Sequence, residues 1–173
     1  MSLIYKIYKQ PKYENTLYLD KDGVLNVAFL RSGKLSSPRN IGEIKLKEDL
    51  HTIADFSKKK KYNLVIITNQ PDLSRNLITQ KFLDLNIKLI REFLPVSVSL
   101  ICPHLSSKNC NCRKPQTGLI EKFRELFPCN HQKELFIGDQ ISDQECAERL
   151  GLPFIMVDSF FSKNNINLSL ENY

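Results

Sequence analysis

The stretch LYLDKDGVLN, residues 17–26, places two acids, Asp20 and Asp22, between an apolar run and a glycine. A strand that simply ends in an Asp-Gly turn has the same pattern. The functional alternative is that residues two apart at the end of a strand point at one spot. Two acids so placed suit a hard cation such as Mg²⁺, or a nucleophile with an acid/base partner. The rest of the chain has to distinguish these interpretations.

Strand-like and helix-like segments alternate along the chain. The apolar run NLVIITN, residues 63–69, is typical of a strand buried on both faces of a parallel sheet. A first strand is predicted to end with LYLD at Asp20, and further strands are predicted at residues 98–102, 134–138 and 153–158. Helices are predicted at 47–60, 79–94, 117–127 and 142–151, and a long loop at 27–46. The alternation predicts an α/β fold with a doubly wound parallel sheet in a three-layer sandwich.

Polar clusters follow four of the predicted strands: DKDG, TNQ, CPH and GDQISD. In such sheets ligands bind beyond the carboxyl ends of the strands, so these clusters are expected to meet in one site. Phosphoryl transfer needs a nucleophile, positive charge on the phosphate oxygens and a proton donor for the leaving alcohol. The clusters and the later basic residues provide all three.

Each of these roles has a candidate residue. Asp20 would be the nucleophile and form an aspartyl phosphate, while Asp22 would protonate the leaving oxygen and later activate water. Thr68 and the Asn69 amide would hydrogen-bond phosphate oxygens. Lys114 would neutralise the developing charge.

A magnesium ion would complete the chemistry. Its expected ligands are the Asp20 carboxylate, the Asp22 main-chain carbonyl and Asp139. The cation would also offset the repulsion between an anionic phosphate and an anionic nucleophile. Asp143 has two open roles, as a metal ligand or as a helix cap behind the site.

The segments DKDGVLN, TNQ, RKP and GDQISD, in this order, resemble the four motifs of the haloacid dehalogenase (HAD) superfamily of phosphatases. The resemblance covers residues 17 to about 158, nearly the whole chain. Between Asp20 and Thr68 there is room for a loop and a helix but not for a separate cap domain. An uncapped site is open, so its selectivity must come from loops.

Four metal-ligand side chains crowd into the loop CPHLSSKNCNCRKP: Cys102, His104, Cys110 and Cys112. In a chain without a secretion signal, clustered cysteines indicate metal ligation before disulfides. A Cys₃His set suits a tetrahedral structural zinc with no open position for water. Such a zinc would fix the segment that brings Arg113 to the phosphate. Cys129 and Cys146 are expected to be buried thiols.

This loop is similar to those of the zinc-containing HAD branch that includes heptose bisphosphate 7-phosphatases and histidinol-phosphate phosphatases. TNQ followed by Arg75 resembles the heptose enzymes, and a bisphosphate needs a cation for its second phosphate. The short His-to-Cys gap of the zinc loop is closer to the histidinol enzymes. The resemblance implies a sugar bisphosphate substrate in the synthesis of surface polysaccharide, with histidinol phosphate or another sugar phosphate as alternatives.

Composition limits the remaining choices. At 173 residues, with 42% hydrophobic and 25% charged residues, we expect a single domain over residues 1–173, with a core at about 15–158 and an extension at 159–173. The N-terminus lacks the apolar core of a signal peptide and no apolar run spans a membrane, so a cytoplasmic location is expected. We also expect the protein to be a monomer. The net charge of +6 and the run Lys58–Lys61 raise a polynucleotide 3′-phosphatase or nucleic-acid-binding zinc protein as a further alternative. A solvated helix end explains that run as well.

Overall fold

A central parallel sheet covered by helices organises the protein, seen in a computed structural model that describes residues 2–165. The strands are β1 Ile4–Ile7, β2 Asn15–Leu19, β3 Phe29–Arg31, β4 Lys34–Ser36, β5 Tyr62–Asn69, β6 Val96–Cys102, β7 Glu134–Gly138 and β8 Phe154–Met156. The helices are α1 Leu50–Lys60, α2 Gln80–Phe93, α3 Gly118–Leu126, α4 Ile141–Arg149 and α5 Val157–Asn165. Short 3-10 helices lie at Ile41–Glu43 and Ser106–Lys108.

The strands of the main sheet run in the order β1-β6-β5-β2-β7-β8. The pairs from β6 to β8 are parallel, and among the described strands of this sheet only the edge strand β1 is antiparallel to its neighbour. The predicted α/β fold is therefore confirmed. Because β2 lies in the middle of the sheet, the acids that follow it are placed at the centre of the carboxyl edge.

Alternate residues of each central strand face two separate cores. In β2, Leu17 and Leu19 belong to the core beneath α1, α2 and α5, whereas Tyr18 belongs to the core beneath α3 and α4. Tyr18 and Phe123 of α3 make an edge-to-face contact with ring centroids 5.7 Å apart. Burial on both faces explains why β2 and β5 are almost continuously apolar.

Three elements differ from the sequence predictions. Strand β1 was not predicted. The expected loop at residues 27–46 contains the hairpin of β3 and β4, which turns at Ser32 and Gly33 with positive φ angles. The strand predicted at 153–158 is wrong for its last two residues, because α5 begins at Val157. There the chain turns to pack Phe160 into the core, where it is fully buried.

The C-terminal extension is described only in part. Residues up to 165 form α5, and residues 166–173 lie outside the described part of the chain. Cys146 is buried as expected, but Cys129 is exposed, so the prediction of a buried thiol is wrong there. Within residues 2–165, no helix combines the length and the apolar character that crossing a membrane requires.

Candidate active site

The carboxyl ends of β2, β5 and β7 open into one cavity of about 270 Å³. Most of the residues predicted for the site line this cavity: Asp20, Asp22, Thr68, Asn69, Arg75, Arg113, Lys114, Asp139 and Asp143. They come from sequence positions as far apart as 20 and 143. The parallel sheet is what brings them together.

Asp20 and Lys114 form a buried pair at the floor of the cavity. Lys114 Nζ lies 2.7 Å from Asp20 Oδ1 and 3.0 Å from the Ile67 carbonyl oxygen, to which it donates. Burial raises the pKa of Asp20 to about 7, although the positive charge of Lys114 acts in the opposite direction. Burial lowers the pKa of Lys114, but the carboxylates of Asp143 and Asp20 outweigh it and raise that pKa. Lys114 therefore stays charged beside Asp20.

Asp139 presents an oxygen suited to a cation. Its Oδ2 atom accepts a hydrogen bond from Gln140 at 2.8 Å, but its buried Oδ1 atom has no hydrogen-bond partner among residues 2–165. Carboxylate oxygens of Asp20, Asp139 and Asp143 lie within 4.8 Å of one another. Buried carboxylate oxygens grouped in this way fit a hard divalent cation, which would supply the missing partner.

Gly23 makes room for this arrangement. Its φ angle is +98°, and a Cβ atom added there would lie 2.0 Å from Asp139 Oδ2. Any side chain at position 23 would therefore displace the Asp139 carboxylate.

Asp143 lies behind the site at the start of α4. Its Oδ2 atom accepts hydrogen bonds from the main-chain N–H groups of Asp139 and Gln140, and its Oδ1 atom lies 2.7 Å from Lys114 Nζ. Oδ2 thus accepts from two main-chain donors, whereas Oδ1 forms an ion pair with Lys114 and has no hydrogen-bond partner within residues 2–165. These contacts favour the helix-cap role over metal ligation.

Four donors surround the carboxylate of Asp22. Ser37 and Gln70 donate to Oδ2 at 2.6 and 2.7 Å, and Lys21 and Asn26 donate to Oδ1. Burial raises the pKa of Asp22, but these donors, with Lys21 first, outweigh it and lower the pKa. The acid is held in a fixed orientation toward the cavity. Ser37 and Gln70 are functional candidates that the sequence analysis missed.

The end of β5 connects the floor of the cavity to the cysteine loop. The side-chain amide of Asn69 donates to the Lys114 carbonyl at 3.1 Å and accepts from the Lys114 N–H at 3.0 Å. These bonds position the segment that carries Lys114, and the phosphate contact of Asn69 stays a prediction. Thr68 accepts a hydrogen bond from Gln70 and faces the cavity.

The cysteine loop brings its four predicted ligands together. Cys102 Sγ lies 3.7 Å from Cys110 Sγ and 3.5 Å from His104 Nδ1. Cys112 Sγ lies 3.6 Å from Cys110 Sγ and 3.2 Å from His104 Nδ1. Thiolates about 2.3 Å from a tetrahedral zinc lie roughly 3.8 Å apart, so the spacing fits a metal ion.

The environment of Cys110 also suits ligation. Burial raises the pKa of its thiol, but main-chain N–H groups of Arg113 and Cys112 outweigh this effect and lower the pKa to about 7. A thiol that ionises near neutral pH is ready to bind a metal. Arg113 donates to the His104 carbonyl at 3.1 Å, which joins the cavity wall to the loop.

Comparison with known proteins agrees with this geometry. The model of the "Polynucleotide kinase 3 phosphatase" family matches residues 37–170, more than half of the chain. The chain belongs to this family of HAD phosphatases. It is therefore a phosphatase, as its motifs predicted.

Curated relatives of this phosphatase include two kinds of enzyme. A Thermoplasma acidophilum protein named "Probable D-glycero-D-manno-heptose-1,7-bisphosphate 7-phosphatase" is 30% identical over 82% of this chain and 89% of its own length. The D-glycero-alpha-D-manno-heptose-1,7-bisphosphate 7-phosphatase of Campylobacter jejuni is 28% identical over 76% of this chain and 74% of its own. The histidine biosynthesis bifunctional protein HisB of Actinobacillus pleuropneumoniae is 31% identical over 79% of this chain, but only 38% of its own length is covered.

A solved structure confirms the fold of this phosphatase. The D,D-heptose 1,7-bisphosphate phosphatase from B. bronchiseptica, crystallised with magnesium and phosphate, superposes with a TM-score of 0.66. The match covers 86% of each chain at 21% sequence identity.

Proposed function

We propose that this phosphatase hydrolyses phosphomonoesters through an aspartyl-phosphate intermediate, with Asp20 as the nucleophile. One observation carries the proposal. The buried Asp20 carboxylate contacts the Lys114 ammonium at the floor of a cavity. The other wall of this cavity holds Asp139 Oδ1, which has no hydrogen-bond partner in the described part of the chain. The ammonium lies where it would meet the negative charge that develops on the phosphate.

The neighbouring side chains supply the remaining steps. Asp20 attacks the phosphorus atom as the bond from phosphorus to the alcohol oxygen breaks, and Asp22 in its protonated form gives a proton to that leaving oxygen. In the second half of the reaction Asp22 takes a proton from water, which attacks the phosphorus atom and frees Asp20. Thr68 and Arg113 face the cavity and would bind the phosphate oxygens.

Mg²⁺ is the proposed cofactor at the carboxylates. Asp20, Asp139 and the Asp22 carbonyl would hold the ion, which would offset the repulsion between phosphate and carboxylate. The buried Asp139 Oδ1 atom supports this assignment, and so does the magnesium in the B. bronchiseptica enzyme.

Zn²⁺ is the proposed occupant of the cysteine loop. Three sulfur atoms and one imidazole nitrogen leave no position for water or substrate, so the ion would be structural. Its function would be to hold the loop, and with it Arg113 and Lys114, against the cavity.

We propose a heptose bisphosphate as the substrate, with the 7-phosphate removed. The names of the relatives from T. acidophilum and C. jejuni support this choice. Arg75, at the cavity wall, offers a cation for the second phosphate. Histidinol phosphate is the second candidate, supported by the relationship to HisB.

A polynucleotide substrate is less well supported, although the matching family model carries that description. Lys58–Lys60 form the last turn of α1, and the chain then enters β5 at Tyr62. This run therefore lies at the amino edge of the sheet, opposite the cavity. A polynucleotide strand bound in the cavity would not reach these lysines.

Phosphate release from a substrate panel tests the proposal. The panel holds both heptose 1,7-bisphosphate anomers, fructose 1,6-bisphosphate, histidinol phosphate and a 3′-phosphorylated oligonucleotide, each with Mg²⁺. We expect a preference of about a hundredfold for a heptose bisphosphate, roughly 2.7 kcal/mol of transition-state discrimination. A stronger preference for histidinol phosphate or the oligonucleotide would overturn the substrate assignment.

The Asp20→Asn variant tests the mechanism with the same assay. We expect turnover to fall by roughly a thousandfold or more, because an amide cannot form the acyl phosphate. Lys114 keeps Asp143 as an ionic partner, so the fold should persist. Asp55→Asn, which changes an exposed carboxylate on α1, is the control. Substantial activity in Asp20→Asn would refute the covalent route.

A further inference from the structure

A buried carboxylate that lines the cavity pairs with two arginines. Asp72 Oδ1 accepts from Arg75 at 2.9 Å, and Asp72 Oδ2 accepts from Arg39 at 2.7 Å. The Asp72 side chain is only 5% exposed, whereas those of Arg39 and Arg75 are 32% and 50% exposed. The acid is thus covered, and both arginine side chains are partly exposed to solvent.

The three residues come from two different segments. Asp72 and Arg75 lie in the loop after β5 and line the cavity that holds Asp20. Arg39 lies between β4 and the first 3-10 helix, two residues after Ser37, which donates to Asp22. The segment that follows the hairpin therefore contacts both the catalytic cavity and the Asp72 carboxylate.

The charges of this cluster do not cancel. Burial raises the pKa of Asp72, but hydrogen bonds and charges of Arg39 and Arg75 outweigh it and lower the pKa, so the carboxylate is ionised at neutral pH. The pair of Arg75 and Asp72 alone would carry no net charge. Arg39 restores one positive charge to the cluster.

Each arginine also keeps donors for a ligand. Within residues 2–165, the Arg75 side chain donates a single hydrogen bond, from Nη1 to Asp72. The Arg39 side chain likewise donates a single hydrogen bond among these residues, from Nε to Asp72. The other N–H groups of both guanidiniums are available to phosphate oxygens, for which the planar arginine fork is well shaped.

We propose that Arg39 is a specificity residue, which gives the Arg39–Asp72–Arg75 cluster the net positive charge needed to bind the second phosphate of a bisphosphate substrate. This inference rests on the proposed bisphosphate function. Asp72 holds both guanidiniums in place, and Arg39 compensates the negative charge that Asp72 brings. While Asp72 is ionised, Arg75 without Arg39 has no net positive charge to offer a phosphate.

The test compares heptose 1,7-bisphosphate with heptose 7-phosphate, which lacks the second phosphate. In Arg39→Ala, we expect the ratio of the two kcat/KM values to fall by about tenfold or more, with heptose 7-phosphate turnover within about twofold of wild type. Arg91→Ala removes the same charge from α2, where Arg91 stacks on Tyr8 away from the cavity, and should leave the ratio unchanged.

A double variant separates charge from structure. Asp72→Asn combined with Arg39→Ala leaves the charge of Arg75 uncompensated, so we expect the ratio to recover to within about threefold of wild type. An electrostatic role predicts this recovery, and a purely structural role of the Arg39–Asp72 ion pair does not. A double variant no better than Arg39→Ala would overturn the proposal.

Other results of these assays would refute either the role of Arg39 or the bisphosphate function. Equal losses on the two substrates in Arg39→Ala, or no loss on either, would refute the role of Arg39 while leaving the bisphosphate function intact. A wild-type ratio near one would instead refute the bisphosphate function itself, and the specificity role with it.

Discussion

Gly23 lies in the turn after β2, directly beside the Asp139 carboxylate. The space that a side chain at position 23 would need is already filled by this carboxylate. Gly23→Ala would place a methyl group 2.0 Å from Asp139 Oδ2. We expect Mg²⁺-dependent phosphatase activity to fall by about a hundredfold or more, because Asp139 would have to move. The measurement is kcat at saturating Mg²⁺ together with the magnesium concentration that gives half-maximal rate.

Gly33→Ala is the matched control for backbone strain. Gly33 also has a positive φ angle, +73°, but a Cβ atom added there meets nothing within 4 Å. Its expected cost is only about 1–2 kcal/mol of folding free energy, with activity retained. Equal loss of activity in both variants would mean that strain, and not the clash with Asp139, is responsible.

Single residues of the site differ in how far the sequence predicts them. Asp20, Asp22 and Asp139 follow apolar strands directly, so a local pattern identifies them. Ser37 and Gln70 contact Asp22 across 15 and 48 residues of sequence. No local pattern shows those contacts. The Ser37 contact depends on how the 27–46 segment folds back, and the Gln70 contact depends on the parallel pairing of β2 with β5.

At the scale of elements, we expect the stability of the cysteine loop to depend on bound zinc. Cys110→Ala should abolish zinc binding and lower the free energy of unfolding by roughly 2–3 kcal/mol, which corresponds to a decrease of about 5–10 °C in Tm. Phosphatase activity should fall as well, because the loop leads into Arg113 and Lys114. Metal analysis, a thermal melt and kcat measure the three effects.

Cys129→Ala provides the control for that change. Cys129 is exposed and lies outside the four-residue cluster, so its loss should alter neither zinc content nor Tm. An unchanged zinc content in Cys110→Ala would contradict the assignment of the loop as a zinc site.

Elements were predicted well where burial leaves a periodic or continuous apolar pattern. The predicted helix at 79–94 corresponds to α2, whose N-cap Thr79 accepts a hydrogen bond from the Phe82 N–H. Strands β3 and β4 have three residues each, none of them buried, so their sequence carries no burial signal. Strand β1 alternates partly buried and exposed residues over only four positions. Its pairing with β6 comes from tertiary structure.

At the scale of the whole molecule, α5 closes one face of the sheet. Phe160 is fully buried and contacts Phe56 of α1 edge-to-face, with ring centroids 5.4 Å apart. Phe160→Ala should cost about 3–5 kcal/mol of folding free energy, while kcat per folded molecule stays near wild type. Chemical denaturation and the phosphate-release assay measure these quantities.

Phe93→Ala is the comparison, because Phe93 is a 62% exposed phenylalanine at the end of α2. We expect a change within about 0.5 kcal/mol. Similar destabilisation by both variants would show that α5 is not an integral part of the fold.

The two edges of the main sheet are short, with four residues in β1 and three in β8. An edge strand exposes unpaired main-chain groups on which a strand of another molecule can add, and short edges limit that opportunity. Short edges thereby protect the phosphatase against aggregation at high concentration, while the inner strands carry its catalytic centre.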